Sequence, residues 1–119
     1  MALTPATVQT RIKDNVRTYT GGLGVSDNDI VVQADDVSEY RKFDLTTTAG
    51  AADVYVSYDG TAYHTSALSM FDLGSASFAT AVVVTAANRV YRFEGCFEKI
   101  RVLQAGATPP ADVILRCYR

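Results

Sequence analysis

His64 is the sole histidine of the chain, Cys96 and Cys117 are its only cysteines, and its acids gather early, at Asp27, Asp29, Asp35 and Asp36. These residue types could hold a metal or carry acid–base chemistry, so their spacing decides what they are worth. A zinc centre needs several ligands, arranged as close pairs, and neither the two separated cysteines nor the lone histidine supplies one. Asp27-Asn28-Asp29 with Asp35-Asp36 offers oxygen ligands but misses the calcium-loop pattern, and a solvated turn is the better account of it. Gly21-Gly22-Leu23-Gly24 lacks the Lys-Ser/Thr ending of a phosphate loop and does not stand between a strand and a helix. No nucleophile with its base can be assembled. The residues therefore point to a protein without catalysis, metal or cofactor.

Charge is the next candidate for function. The net charge is −2, yet it is partitioned along the chain. Up to Gly24, Arg11, Lys13 and Arg17 against Asp14 leave +2. From Val25 to Leu73, Asp27, Asp29, Asp35, Asp36, Glu39, Asp44, Asp53, Asp59 and Asp72 against Arg41 and Lys42 leave −7. From Gly74 on, Arg89, Arg92, Lys99, Arg101, Arg116 and Arg119 against Glu94, Glu98 and Asp112 leave +3. Charges spaced along strands are ordinarily solvated outer faces. The same asymmetry suits contact between basic and acidic surfaces of neighbouring subunits, with Arg11, Arg17, Arg89, Arg92, Arg101 and Arg116 as the candidate partner-binding residues. Overall acidity argues against a nucleic-acid partner. No apolar run reaches the roughly 20 residues of a spanning helix, and the polar residues after Met1-Ala2-Leu3-Thr4-Pro5 do not read as a secretory signal, so synthesis in a cytoplasm is expected.

The elements that must position these groups are strands. Arg89-Val90-Tyr91-Arg92-Phe93, Glu98-Lys99-Ile100-Arg101-Val102-Leu103 and Asp112-Val113-Ile114-Leu115-Arg116-Cys117-Tyr118 alternate apolar and charged residues, which sends one side of each into a core and the other outward. Ile30 to Gln33, Glu39 to Leu45, Asp53 to Tyr58, Ser69 to Leu73 and Ala81 to Thr85 read as further strands. Asp59-Gly60 predicts a tight hairpin joining Asp53–Tyr58 to Thr61–His64, with Val54, Val56 and Tyr58 inward and Tyr55 and Ser57 outward. The stretch from Thr65 to Thr80 is small and polar and reads mainly as a connection. Cys96 and Cys117 read as buried free thiols, or as a disulfide if their Cα atoms lie within about 7 Å.

A chain of 119 residues is long enough for one well-filled core. The expected fold is all-β: an antiparallel two-sheet sandwich, jelly-roll-like, of about eight strands, with residues 30–119 as its body. Residues 1–29 read as an N-terminal arm or short helix. Thr4-Pro5 and the spacing of Val8, Ile12 and Val16 favour a helix, whereas the threonines and β-branched residues favour an extended arm.

From Glu39 to Tyr118 the chain resembles small virion proteins of tailed bacteriophages, notably capsid decoration or cement proteins with a jelly-roll body. Ala52-Asp53-Val54-Tyr55-Val56-Ser57-Tyr58-Asp59-Gly60, the run from Phe93 to Gln104 and Ala111-Asp112-Val113-Ile114-Leu115-Arg116-Cys117 carry the resemblance. It implies a non-enzymatic structural protein of the virion surface that binds the major capsid protein, bridges capsid subunits and forms a homo-oligomer. It implies no cofactor and carries over no site residue. Tail, neck and baseplate components share the texture. A carbohydrate- or receptor-binding module is a rival reading, with Tyr55, Tyr63 and the loop near His64 holding a glycan.

Overall fold

The computed structural model describes residues 11–13, 16–21, 29–47, 50–74, 76–79, 82–84, 89–106 and 113–119. Among them the chain forms strands β1 (Arg11–Lys13), β2 (Val16–Gly21), β3 (Ile30–Ala34), β4 (Lys42–Thr47), β5 (Gly50–Ser57), β6 (Met70–Asp72), β7 (Ser77–Ala79), β8 (Val82–Val84), β9 (Arg89–Glu94), β10 (Lys99–Gln104) and β11 (Val113–Tyr118), and no helix. One sheet, here sheet A, has seven strands in the order β1-β2-β11-β4-β9-β6-β7; the other, sheet B, has four in the order β3-β10-β5-β8. All the pairings are antiparallel.

The connectivity follows a simple rule once β1 and the β6–β7 hairpin are set aside. The remaining eight strands pair first with last: β2 with β11, β3 with β10, β4 with β9 and β5 with β8. A long antiparallel ribbon has thus been rolled up, and the roll is closed by β11 pairing with β4 and β10 with β5. This is the jelly roll expected from the sequence. β1 widens sheet A at one edge; β6 and β7, inserted between β5 and β8, widen it at the other through β6 and β9.

Alternation places the core. Ala52, Val54 and Val56 of β5, Ile100 and Val102 of β10, and Val31 and Val32 of β3 meet Phe43 and Leu45 of β4, Tyr91 and Phe93 of β9, and Val113, Leu115 and Cys117 of β11. Each such aliphatic side chain contributes about 1.5–3 kcal/mol by leaving water. Phe43 and Phe93 stack with centroids 5.1 Å apart, and Phe97 closes on them at 5.6 and 6.2 Å.

The structure corrects several local expectations. Arg11–Lys13 and Val16–Gly21 are strands, so the helix alternative fails there: β11 supplies β2 with a full ladder of partners, which outweighs a four-residue apolar spacing. β2 is the first strand of the roll, and the boundary drawn at residue 29 runs through the sandwich; residues 1–10 and 22–28 lie outside the described residues. Thr61–His64 forms no strand. Asp59 Oδ1 accepts from the backbone N–H groups of Thr61 at 2.8 Å and Ala62 at 3.0 Å, bending the chain into a side-chain-closed turn. The segment beyond still follows β5, with His64 N–H donating to Val56 O at 2.9 Å and Leu68 N–H to Val54 O at 2.8 Å. Because β5 ends at Ser57, the alternation stops there: Ser57 is buried and Tyr58 exposed, the reverse of the expectation. Cys117 is a buried free thiol as expected, whereas Cys96 is free but exposed.

Candidate interaction surface

A register row crosses all seven strands of sheet A at Arg11, Thr18, Arg116, Asp44, Arg92, Phe71 and Phe78, and from Thr18 to Phe78 its side chains lie on the outer face. Asp44 sits at its centre, between the aligned Arg116 and Arg92. Its carboxylate accepts two bonds from Arg92, Nε to Oδ1 at 2.7 Å and Nη2 to Oδ2 at 3.0 Å, a planar fork that fixes both side chains. Asp44 is only 6% exposed while the Arg92 side chain keeps 41% of its surface in water, so the acid is sunk and the cation looks outward. The bond to Asp44 raises the Arg92 pKa; burial, then a hydrogen bond with Asp44, raises that of Tyr118.

Beyond Arg92 the row becomes aromatic. Phe71 and Phe78 meet edge to face at 5.1 Å on the inserted hairpin, and Phe78 is 73% exposed. A groove of about 380 Å³ runs beside them, with Leu68, Phe71 and Phe93 along it and Arg92 and Glu94 at its charged side. A second groove of about 280 Å³ holds Tyr58, His64 and Ser66 and shares Leu68 and Ser69 with the first.

A different cluster lies on the outer face of sheet B. Arg101 is aligned with Gln33 on one side and Tyr55 on the other. Its Nε donates to Gln33 Oε1 at 3.1 Å, its guanidinium lies 4.0 Å from the Tyr63 ring centre, and Gln33 Nε2 donates to Tyr63 Oη at 2.6 Å. One face of Tyr63, a glycan-stacking candidate from sequence, is thus taken by an arginine. His64 is exposed, and its Nδ1 accepts from Ser66 N–H at 3.2 Å, which leaves Nε2 as the donor.

Arg17 belongs to neither outer face. It lies on the same side of β2 as the buried Tyr19, donates to Tyr19 Oη at 3.4 Å and Asp36 O at 3.2 Å, and stands 5.3 Å from the ring centre of fully buried Tyr40. Arg119 lies 5.7 Å from the same ring and pairs with Glu39. Two guanidinium groups flanking one buried ring close this end of the sandwich. The bond to Tyr19 raises the Arg17 pKa, the bond to Glu39 raises that of Arg119, and burial raises that of Tyr19.

The six arginines singled out by sequence are therefore not one patch. Arg92 and Arg116 share the outer face of sheet A, Arg101 lies on the opposite sheet, and Arg17 is turned to the sandwich end. Arg11 and Arg89 stand on β1 and β9, at positions whose side chains lie outside the described residues. The acid that organises the outer face, Asp44, stands between inward-facing Phe43 and Leu45, and that alternation is what sends it to the outer face. The Phe71–Phe78 ridge had none, because β7 hides in a small polar stretch. Among the described residues no group of three His, Cys, Asp or Glu side chains is placed to hold a metal, and no helix is long and apolar enough to cross a membrane.

Fold and surface together define a class: an eight-stranded jelly roll widened along one sheet, presenting ion-paired strands and an aromatic ridge. Among solved structures the chain is similar to the SPBc2 prophage-derived protein YomS, with a TM-score of 0.63 and 10% identity over 90% of this chain and 97% of that one. At that identity the likeness concerns the fold. No protein-family model matches the chain, and no curated protein matches it.

Proposed function

We propose that this protein is a non-enzymatic structural component of a bacteriophage particle, and within that class a capsid decoration protein that bridges and stabilises subunits of the major capsid protein. The observation that carries the reading is the complete jelly-roll topology, a fold similar over 90% of the chain to that of a prophage-derived protein, joined to an outer sheet face with a locked ion pair beside the exposed Phe78. A cement protein must hold adjacent subunits at many equivalent positions, so weak contacts repeated over a shell add up to a strong effect. A stiff sandwich with its charges preset by cross-strand pairing suits that task, because little side-chain freedom remains to be lost on docking.

The test is immuno-electron microscopy of particles from a phage that encodes the chain, using antibody raised against the purified protein. Labelling over the heads is expected, together with heads that rupture at lower temperature when the protein is absent. Labelling confined to tails or baseplates would move the protein to the tail. Particles without label would overturn the virion reading.

A further inference from the structure

The β6–β7 hairpin is surplus to the roll. All eight roll strands pair among themselves without it, yet the chain carries an apolar ridge on this insertion. Among the described residues the large apolar side chains left exposed are Tyr58, Leu73 and Phe78, at 62%, 45% and 73%. Two of the three stand on the hairpin, Leu73 at its turn and Phe78 at the centre of β7. The turn is tight, with Ala76 N–H donating to Asp72 O at 2.8 Å and Ala76 at a φ of 55°, so the ridge is held in place. A non-glycine residue at positive φ is an uncommon local cost, borne here to build a hairpin that sinks Met70 into the core and leaves Phe78 in water.

Plug and socket are next to each other. Phe78 is the plug; the socket is the groove of which its own ring forms one wall, where Leu68 and Phe71 are overlooked by Arg92 and Glu94. The T-contact with Phe71 and the register with β6 fix Phe78 at the groove's border. Its exposed ring therefore faces outward. A two-fold axis close to Phe78 would bring the ring of one copy over the groove of the other, and the reverse, which is the reciprocity an isologous contact requires.

The charges agree with a second copy as the occupant. Arg92 and Glu94 are two residues apart on β9 and so share its outer face, with opposite signs about 7 Å apart along the strand. A two-fold axis that crosses β9 at the level of Phe93, one residue from the row of Phe78, sets Arg92 of one copy opposite Glu94 of the other, twice over. Asp44 occupies Nε and Nη2 of Arg92, leaving Nη1 available. An apolar centre within a polar rim is how protein–protein contacts concentrate their energy.

We infer that the Phe71–Phe78 ridge is a homodimer contact, with Phe78 of each copy seated in the groove of its partner beside Leu68, between Arg92 and Glu94. Light scattering coupled to size-exclusion chromatography, at chain concentrations up to about 1 mM, tests it. Wild type should reach twice the 12.8 kDa chain mass. Phe78→Ser should raise the dimer dissociation constant by at least about tenfold without changing the far-UV circular dichroism spectrum, since the exposed ring contributes little to the core. Glu94→Lys, which sets like charges across the axis, should also weaken the dimer, most strongly at low salt. A wild type that stays monomeric throughout, or a dimer indifferent to both substitutions, would overturn the contact. Particle binding is a separate readout: a monomer that still labels phage heads removes the dimer and keeps the virion reading, whereas a dimer that labels no particle does the opposite.

Discussion

Asp44 shows how one residue organises a face. A carboxylate at 6% exposure is costly unless its lone pairs are used, and Arg92 bonds to both of its oxygens while Arg116 stands aligned on the neighbouring strand. Removing the forked partner should therefore hurt more than removing an ordinary surface arginine. Arg92→Leu is expected to lower unfolding stability by about 1–3 kcal/mol, the cost of a buried acceptor losing its charged donor, whereas Arg116→Leu should stay within about 0.5 kcal/mol. Urea titrations check this through the midpoint, with the slope unchanged in both variants. If the two substitutions cost the same, the fork is not what holds Asp44. Residue types were legible in the sequence at this scale, but destinations were not. Arg92, Arg101 and Arg17 look alike in alternating strands, and only pairing sends them to one sheet, the opposite sheet and the sandwich end.

At the scale of elements, what was legible followed the strength of the alternation. The alternation marks β9, β10 and β11 to within a residue at either end, because apolar and charged residues alternate there without a break and the register leaves them one inward side. Asp59-Gly60 was rightly a turn, yet the second strand failed because the Asp59 carboxylate competes for the N–H groups a ladder would need. β7 was missed because three residues, Ser77-Phe78-Ala79, carry no period. β2 was mistaken for an arm or helix because its sheet partner, β11, lies at the other end of the chain. Its last residue, Gly21, has a role that no local pattern reveals. A Cβ added there would lie 2.1 Å from Val31 O, so β2 and β3 pass backbone against backbone where the chain changes sheets. Backbone cannot step aside as a flexible side chain can. Gly21→Ala should cost about 3 kcal/mol, the upper part of the overpacking range, and should lower the thermal midpoint by several degrees in a calorimetric scan. A neutral outcome would mean that this corner is looser than its geometry states.

At the scale of the whole molecule, the thiol and phenols whose protonation is tied to burial bias the sandwich in one direction. The buried Cys117 thiol is raised from 9.0 to about 12 by loss of solvent, with nearby Arg17 opposing in part. Tyr19 and Tyr118 are also raised, chiefly by burial. In each case the neutral form is the one the fold accommodates, and unfolding releases a group that ionises more readily. Stability from these groups is therefore fully present below their unfolded values, near 9 for the thiol and 10 for the phenols, and is lost as pH rises toward the folded values. A single group contributes a slope of up to about 1.4 kcal/mol per pH unit inside its window. Denaturant titrations from neutral pH upward should show no loss from these groups up to about pH 9 and a steepening fall beyond it. Cys117→Ala should be less stable at pH 7, because it empties part of the core next to Phe43 on β4, and should fall less steeply between 9 and 12. The two curves should draw together as pH rises, since only the wild type carries a thiol whose ionisation on unfolding costs it stability. Parallel curves would assign the alkaline loss to the phenols alone and remove Cys117 from the account.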